Sequence, residues 1–262
     1  MLDNKVRQAL KRGETVFGTM ISGWRSSAIA QIFANVGFDF MFIDTEHADY
    51  NMETVSDIIR MARMAGIAPL VRVTDLQYPL MSRPLDAGAQ GLMIPRLETK
   101  EQVEEIVQCM KYPPVGKRGC ATGTGHSDYK TVKVKEFMAH ANENTLIVIQ
   151  IEQAKAVENV EAMVSVPGVD VALVGPNDLS IALGCPGEVE SRTMTQAIDK
   201  VIEACNTHHV AAGIHIANID LLKYWMRKGM RMITYSSDVA MVRSAASDGL
   251  KALKAAAEKS GV

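Results

Sequence analysis

TLIVIQIE (145–152) and VDVALVGPND (169–178) are apolar runs that each lead to a carboxylate. Glu152 closes the first run and Asp178 ends the second. A carboxylate at the end of a buried strand is costly unless it binds a cation or takes part in chemistry. Two of them, after neighbouring strands, predict a site for a hard divalent metal ion held by oxygen ligands.

Six further segments of the same apolar kind are spaced along the chain. They are continuous apolar runs rather than strictly alternating ones, which is typical of parallel strands covered on both faces. The eight predicted strands cover residues 16–21, 38–44, 69–74, 90–95, 145–152, 169–175, 211–216 and 230–235.

Segments of helical period separate most of these strands. Residues 52–66 place their apolar side chains on one stripe, which stops at Gly66. Residues 99–112 begin with Thr99 as a predicted N-cap and carry Gln102 three residues later, the spacing of a capping box. The alternation of the two patterns predicts strand–helix units.

Eight strand–helix units without a linker-like break predict an α/β chain folded as one (β/α)8 TIM barrel over residues 1–262. A doubly wound open sheet is the competing architecture. It typically carries a glycine-rich fingerprint after its first strand, and ISGWRSS (21–27) is not one. A long active-site loop is predicted over residues 112–144. A C-terminal helix is predicted over 236–259, with an apolar stripe that covers this barrel or a neighbouring subunit.

Composition narrows the function classes. The net charge is −2, so no basic footprint points to nucleic acid or to a membrane surface. No apolar stretch approaches the roughly 20 residues that span a bilayer, and the polar start is not a secretory signal. The four cysteines lack CxxC spacing, which is typical of reduced thiols. These features predict a soluble, cytoplasmic protein.

The predicted strand ends carry further polar residues. A single histidine near a strand end is more often structural than catalytic, and we interpret His215 and the pair His208/His209 in that way. Arg72 is different, because a guanidinium inside a strand keeps its charge and must point at an anion or at water. The polar set comprises Asp44, Glu46, His47, Arg72, Gln150, Glu152 and Asp178, with Asp86 in the third helix.

None of the eight predicted strands contains a lysine. A Schiff-base aldolase needs a lysine nucleophile that projects into the barrel mouth. A barrel with two acidic strand ends, an arginine and a histidine instead favours metal-assisted enolate chemistry. Arg118, within GKRG, either clamps a substrate carboxylate or orders the long loop, and both interpretations remain open.

Six motifs together resemble the class II pyruvate aldolases of the HpcH/HpaI type, which belong to the phosphoenolpyruvate/pyruvate superfamily of metal-dependent barrels. They occur in the expected order over nearly the whole chain. The motifs are IDTEHADYNMETV (43–55), VRVTD (71–75), LDAGAQGLMIPRLET (85–99), YPPVGKRG (112–119), QIE (150–152) and VGPNDLSIALGCPG (174–187).

The resemblance implies ligand roles for the residues after the fifth and sixth strands. Glu152 in QIE and Asp178 in GPND match the two metal carboxylates, for which Mg²⁺, Mn²⁺ or Co²⁺ is the expected ion. Gln150 and the Asn177–Asp178 stretch match the substrate-binding positions. Trp24, Arg25 and the loop 119–130 are expected to shape the aldehyde pocket.

The resemblance also implies three catalytic roles. His47 in EH matches the acid/base, and Asp86 in LDAGA matches the partner that raises its basicity. Arg72 in VRV matches the residue that stabilises enolate charge. The implied assembly is a homo-hexamer, a trimer of dimers that exchanges the terminal helix between subunits.

The implied reaction is the reversible cleavage of a 4-hydroxy-2-oxo acid to pyruvate and an aldehyde through a pyruvate enolate. One alternative is a CoA-thioester lyase of the citramalyl or malyl type, from the same superfamily. Another is a non-catalytic barrel that binds a keto acid. The complete polar set argues against the non-catalytic barrel, because such a barrel has no reason to keep buried charge at its strand ends.

Overall fold

The computed structural model describes residues 1–260 and confirms the predicted (β/α)8 barrel. Eight parallel strands follow one another around the barrel in chain order, and the eighth pairs with the first. The strands are β1 (Val16–Ile21), β2 (Phe40–Asp44), β3 (Ala68–Arg72), β4 (Gly91–Ile94), β5 (Leu146–Ile151), β6 (Val171–Val174), β7 (Ala211–Ile216) and β8 (Met232–Ser237).

Helices separate successive strands and surround the barrel. A short 3₁₀ turn, Gly125–Ser127, lies in the segment between β4 and β5. The α-helices are α1 (Lys5–Lys11), α2 (Ala28–Val36), α3 (Met52–Ala65), α4 (Tyr78–Ala87), α5 (Lys100–Met110), α6 (Val134–Asn144), α7 (Ala154–Glu158), α8 (Val160–Val164), α9 (Pro176–Ala182), α10 (Arg192–Thr207), α11 (Ile219–Arg227) and α12 (Asp238–Ser260).

The sequence signals for helix ends act as predicted. The side chain of Thr99 accepts the backbone N–H of Gln102, and the Gln102 side chain accepts the N–H of Thr99, so α5 begins with a complete capping box. Gly66 follows α3 with φ +82°, the left-handed conformation that glycine adopts without strain. These caps fix where the chain leaves each helix and turns toward the next strand.

Two apolar layers hold the barrel together. Phe40, Phe42, Leu70 and Leu173 belong to the cluster inside the barrel and are fully buried. The opposite faces of the strands pack against the surrounding helices in a second, larger cluster. With both faces covered, polar side chains find room only where the strands end, and the C-terminal ends of parallel strands lie at one mouth.

Lys111 is a buried lysine in the segment between β4 and β5. Only 2% of the residue is exposed, and its Nζ donates to the carbonyls of Asn142 and Thr145, each at 2.7 Å. It thereby caps the C-terminal end of α6, where a cation is favoured. Burial nevertheless lowers the pKa of Lys111 from 10.5 to about 8.

Lys111 should make stability depend on alkaline pH. Between about pH 8 and 10.5 the unfolded chain binds a proton that the folded chain has lost, so the free energy of unfolding rises with pH across that window. The slope approaches about 1.4 kcal/mol per pH unit. Urea titrations of wild type and Lys111→Met should diverge in that window, whereas the exposed Lys135→Met on α6 should follow wild type. Parallel curves for wild type and Lys111→Met would rule out this contribution.

The terminal helix α12 begins at Asp238, two residues later than the predicted start, because Ser236 and Ser237 belong to β8. Most of it has little to pack on. Leu250 and Leu253, on its apolar stripe, are 55% and 71% exposed. In a (β/α)8 barrel the helix after the eighth strand covers β8 and β1, between the helices that follow β7 and β1.

That position is an open groove of about 430 Å³ between α2 and α11. Apolar side chains line it, including Phe17, Val36 and Ile219, which are 43%, 68% and 51% exposed. The chain therefore has an uncovered apolar groove where its eighth barrel helix belongs, and an apolar helical stripe that does not fill it.

Two other features of the chain are simple. All four cysteines are unpaired thiols, of which Cys109 and Cys205 are buried. None of the helices within residues 1–260 combines the length and the apolar character needed to cross a lipid bilayer.

Candidate active site

The ends of β2 and β3 bring together a buried ion pair. The guanidinium of Arg72 donates from Nε to Asp44 Oδ1 at 2.8 Å and from Nη2 to Asp44 Oδ2 at 2.6 Å. Both residues are buried, with exposures of 7% and 2%. The two parallel hydrogen bonds fix the plane of the guanidinium, so the arginine is held in position before any ligand arrives.

Glu46 is a second buried carboxylate at the same corner. Its side chain is 4% exposed and lies between two arginines, with Oε2 3.3 Å from Arg72 Nη1 and Oε1 2.8 Å from Arg96 Nη2. His47 follows it at the mouth with a side chain 58% exposed and Nε2 3.9 Å from Glu46 Oε2. The backbone N–H groups of Glu46 and His47 both donate to Asp44 Oδ1. Asp44 therefore holds the loop that carries the histidine.

Glu152 is 3% exposed just after β5. Its Oε1 accepts the backbone N–H of Arg96 at 2.8 Å, and its Oε2 accepts Nε2 of Gln150. Burial, together with the nearby carboxylates of Glu46 and Asp178, raises the pKa of Glu152 to about 7, although the Arg96 N–H and the Arg72 charge oppose the shift. The surroundings therefore compensate the negative charge of this carboxylate poorly.

The loop after β6 approaches Glu152 closely. A Cβ atom at Gly175 would lie 2.7 Å from Gln150 Nε2 and 3.2 Å from Glu152 Oε2, so only glycine fits there without a shift. Asn177 and Asp178 follow in the first turn of α9, and both are exposed. The predicted ligand positions from β5 and β6 thus lie side by side at the mouth.

A cation would suit this corner. Within residues 1–260 there is no group of three or more His, Cys, Asp or Glu side chains arranged to hold a metal. The candidate donors are the carboxylates of Glu152 and Asp178, beside Gln150, whose buried Oε1 has no hydrogen-bond partner among the described residues. Hard divalent ions take oxygen ligands and commonly keep several positions for water and substrate. The residues present fit such an ion.

Asp86 lies on α4, in the helix where the sequence predicts it. Its carboxylate accepts Nη2 of Arg118 and lies 3.8 Å from Nδ1 of His126. Within residues 1–260 no hydrogen bond or ion pair joins Asp86 to His47. The side chains of Asp86 and His47 are 35% and 58% exposed, so neither is enclosed by its own chain.

Arg118 orders the long loop. It is 4% exposed, its guanidinium lies 4.6 Å from the centre of the Tyr112 ring, and it bonds to Asp86 on α4. The loop is tied to α4 a second time where the backbone N–H of Gly119 donates to the Tyr78 hydroxyl. Of the two interpretations that the sequence left open, the contacts favour loop ordering over a clamp on substrate.

The loop after β1, with Trp24 and Arg25, is held from the other end of the chain. Asp238, 2% exposed at the start of α12, accepts the backbone N–H groups of Ser22, Gly23 and Trp24 at 2.8–3.1 Å. The Arg25 side chain instead pairs with Asp49 at the rim. Sequence reasoning gave no role to Asp238 or to Arg96, because the contacts of each are made with residues far away in the chain.

His215 accords with a structural interpretation. It lies on β7, and its Nε2 is 2.9 Å from the carbonyl oxygen of Ser236 on β8. A carbonyl only accepts, so Nε2 carries the hydrogen. Burial lowers the pKa of His215, which favours the neutral ring.

The buried carboxylates and the fixed arginine lie at the C-terminal strand ends, where barrel enzymes have their active sites. The chain belongs to the HpcH/HpaI aldolase/citrate lyase family, whose model matches residues 20–245. It is a carbon–carbon lyase.

Two curated relatives and one solved structure illustrate the similarity. The 2-keto-3-deoxy-L-rhamnonate aldolase of Klebsiella pneumoniae is 30% identical over 94% of this chain and 91% of the relative. The hydroxypyruvate/pyruvate aldolase of Roseobacter denitrificans is 30% identical over 91% and 93%. The crystal structure of an HpcH/HpaI aldolase from Desulfitobacterium hafniense DCB-2 superposes with a TM-score of 0.91 at 33% identity, covering 95% and 96% of the two chains.

Proposed function

We propose that the protein is a divalent-metal-dependent class II aldolase that reversibly cleaves a 4-hydroxy-2-oxo acid to pyruvate and an aldehyde through a pyruvate enolate. The observation that carries the proposal is the buried Glu152 carboxylate, with its raised pKa, near the fixed Arg72 guanidinium. The names of two similar proteins, a 2-keto-3-deoxy-L-rhamnonate aldolase and a hydroxypyruvate/pyruvate aldolase, support it.

Glu152 and Asp178 would hold the ion, and Gln150 and Asn177 would bind the substrate beside it. When bound, Mg²⁺, Mn²⁺ or Co²⁺ acts as a Lewis acid that polarises the keto oxygen of the substrate. Two carboxylates balance the charge of a divalent ion, so the carboxylate of pyruvate leaves one negative charge over. Arg72, already oriented by Asp44, offsets that charge and stabilises the enolate oxygen.

His47 is the proposed acid/base. In the cleavage direction its imidazole takes the proton of the C4 hydroxyl, the C3–C4 bond breaks, and the electron pair of that bond becomes the enolate of pyruvate. The aldehyde leaves, the enolate takes a proton from water at C3 to give pyruvate, and His47 returns its proton to the hydroxide that remains. The exposed ring at the mouth and the Glu46 carboxylate 3.9 Å away suit a group that gains a proton during the reaction.

Asp86 is the proposed partner of His47, but its own chain engages it with Arg118 and His126. Because both side chains are partly exposed, we propose that His47 of one copy meets Asp86 of a neighbouring copy. This pairing requires an assembly that brings two barrel mouths or rims together.

The proposed assembly is a homo-hexamer, a trimer of dimers, in which α12 of one copy fills the groove between α2 and α11 of another. Six copies of the 28.6 kDa chain give a mass of about 172 kDa by light scattering. Leu250→Asp on the apolar stripe, and Ile219→Asp in the groove, should both yield smaller species, because a charge enters an apolar contact. Lys251→Asp, next along the helix, is the matched control and should remain hexameric.

The same assembly predicts complementation. Mixed hexamers of His47→Ala and Asp86→Ala chains should recover part of the aldolase activity that each variant lacks alone. Without exchange of residues between copies, no site in the mixture has both groups. A monodisperse wild-type monomer, or a hexameric Leu250→Asp, would contradict the exchange; mixtures as inactive as their components would contradict the shared pair.

The substrate is tested by direct assay. Aldehydes are screened for carbon–carbon bond formation with pyruvate in the presence of Mg²⁺, Mn²⁺ or Co²⁺, and the products are assayed in the cleavage direction. A chain that binds pyruvate in calorimetry but converts no aldehyde would instead favour the non-catalytic keto-acid-binding barrel. Cleavage of citramalyl- or malyl-CoA would favour the thioester lyase.

A further inference from the structure

We propose that Arg96 is a positioning residue of this site: its backbone N–H sets the orientation of Glu152, and its guanidinium holds Glu46 beside Arg72. The inference rests on the proposed function, because it gives Arg96 a purpose in metal binding and enolate chemistry.

The backbone of Arg96 has the first of these roles, the orientation of Glu152. Two residues after β4, Arg96 has φ +57°, a left-handed conformation that residues other than glycine seldom adopt. In this conformation its N–H points at Glu152 Oε1 at a distance of 2.8 Å. Since Gln150 binds the other oxygen, both oxygens of the proposed metal ligand are held by donors. Outer donors of this kind orient metal ligands.

The side chain of Arg96 has the second role, which is to hold Glu46 beside Arg72. Arg96 Nη2 lies 2.8 Å from Glu46 Oε1, although the Arg96 side chain is 61% exposed and the Glu46 side chain only 4%. The other oxygen of Glu46 faces Arg72 Nη1 and His47 Nε2. Without Arg96, the buried Glu46 would have only Arg72 as a charged partner of fixed position, and it would draw Arg72 Nη1 away from the substrate.

Arg96 therefore contacts two regions of the site: the proposed metal ligand Glu152, through its backbone, and Glu46 beside His47, through its side chain. Arg96 lies in the short segment that joins β4 to α5. A change in its backbone affects Glu152, and a change in its side chain affects Glu46. This separation makes the two roles distinguishable by substitution.

The test compares Arg96→Gly with Arg96→Val. Both lack the guanidinium, but glycine keeps the left-handed conformation and its N–H, whereas a β-branched valine disfavours that conformation. Mn²⁺ affinity is measured by calorimetric titration of the protein without substrate. Arg96→Gly should bind Mn²⁺ nearly as tightly as wild type, and Arg96→Val about 10- to 100-fold more weakly.

The matched control is His209→Val. His209 has φ +56° in an exposed turn after α10, so the substitution introduces the same backbone strain far from the site. It should lower the thermal midpoint as Arg96→Val does and leave Mn²⁺ affinity unchanged. The side-chain role is read from kcat, which should fall about tenfold or more in Arg96→Gly. Millimolar guanidinium ion should restore part of it, while Arg96→Lys should retain more activity than Arg96→Gly.

Each outcome has a distinct meaning. If wild type binds no Mn²⁺, the metal site of the proposed function fails and the Arg96 inference fails with it. If wild type binds Mn²⁺ but Arg96→Val binds it equally well, the backbone role is overturned while the metal site stands. A wild-type kcat in Arg96→Gly, or no rescue by guanidinium, overturns the side-chain role.

Discussion

Glu152→Gln should lose at least about 10³-fold in aldol cleavage, since even an outer partner of a bound metal is commonly worth 10- to 100-fold. Asp178→Asn should do the same. A chelator should abolish wild-type activity, and Mg²⁺, Mn²⁺ or Co²⁺ should restore it. The reason is that these two carboxylates are the only charged ligands proposed for the ion, with Glu152 buried beside Gln150.

The fold should survive these changes. Glu152→Gln replaces a buried carboxylate, among other carboxylates, by a neutral amide of the same shape, so its thermal midpoint should equal or exceed that of the metal-free wild type. Glu158→Gln, on the exposed face of α7, is the matched control and should remain fully active. Undiminished cleavage in excess chelator would remove the metal from the proposed mechanism.

The catalytic roles of Arg72 and His47 should be distinguishable when the rates of three reactions are compared. These are aldol cleavage, exchange of the pyruvate C3 proton, and decarboxylation of oxaloacetate. All three pass through the enolate, so loss of Arg72 should impair each by about 10²–10³-fold. Decarboxylation forms the enolate by losing CO₂ and takes no proton from a hydroxyl. His47→Ala should therefore lower aldol cleavage by about 10²–10⁴-fold and spare much of the decarboxylation.

The choice of Arg72 variant matters for this comparison. Arg72→Ala leaves Asp44 buried without its cationic partner, which typically costs 3–5 kcal/mol of stability, so loss of activity would not distinguish a missing catalytic group from an unfolded protein. The double variant Arg72→Met with Asp44→Asn removes both charges and keeps similar volumes. The measurement is the ratio of decarboxylase to aldolase rate in each folded variant. Equal losses of both rates in His47→Ala would show that another group is the selective base.

The barrel could be predicted from the sequence because each signal for it lies within a few neighbouring residues. Eight apolar runs, helical stripes between them and signals such as the Thr99 capping box are each written within a few residues. β1 and β7 begin and end where the sequence predicts, over 16–21 and 211–216. Buried charge was equally readable, since Arg72 and Glu152 stand inside or beside apolar strands.

What escaped prediction depends on distant contacts. Nothing local indicates that Arg96 adopts a left-handed backbone or that Asp238 binds three N–H groups of the loop after β1. Nothing local indicates either that Asp86 meets Arg118 of the long loop within its own chain. In each case the partner lies more than 30 residues away in the chain or on another strand, so no spacing pattern encodes it.

The Asp238 anchor has a consequence for enzyme engineering. Its carboxylate secures the backbone of residues 22–24 through main-chain groups, which are the same whatever side chain follows. The side chain of Trp24 is 41% exposed. A library that varies Trp24 can therefore test the proposed aldehyde pocket while these main-chain hydrogen bonds still hold residues 22–24. Such a library should keep Asp238 and Gly23 unchanged, because a Cβ atom at position 23 would clash with Val239.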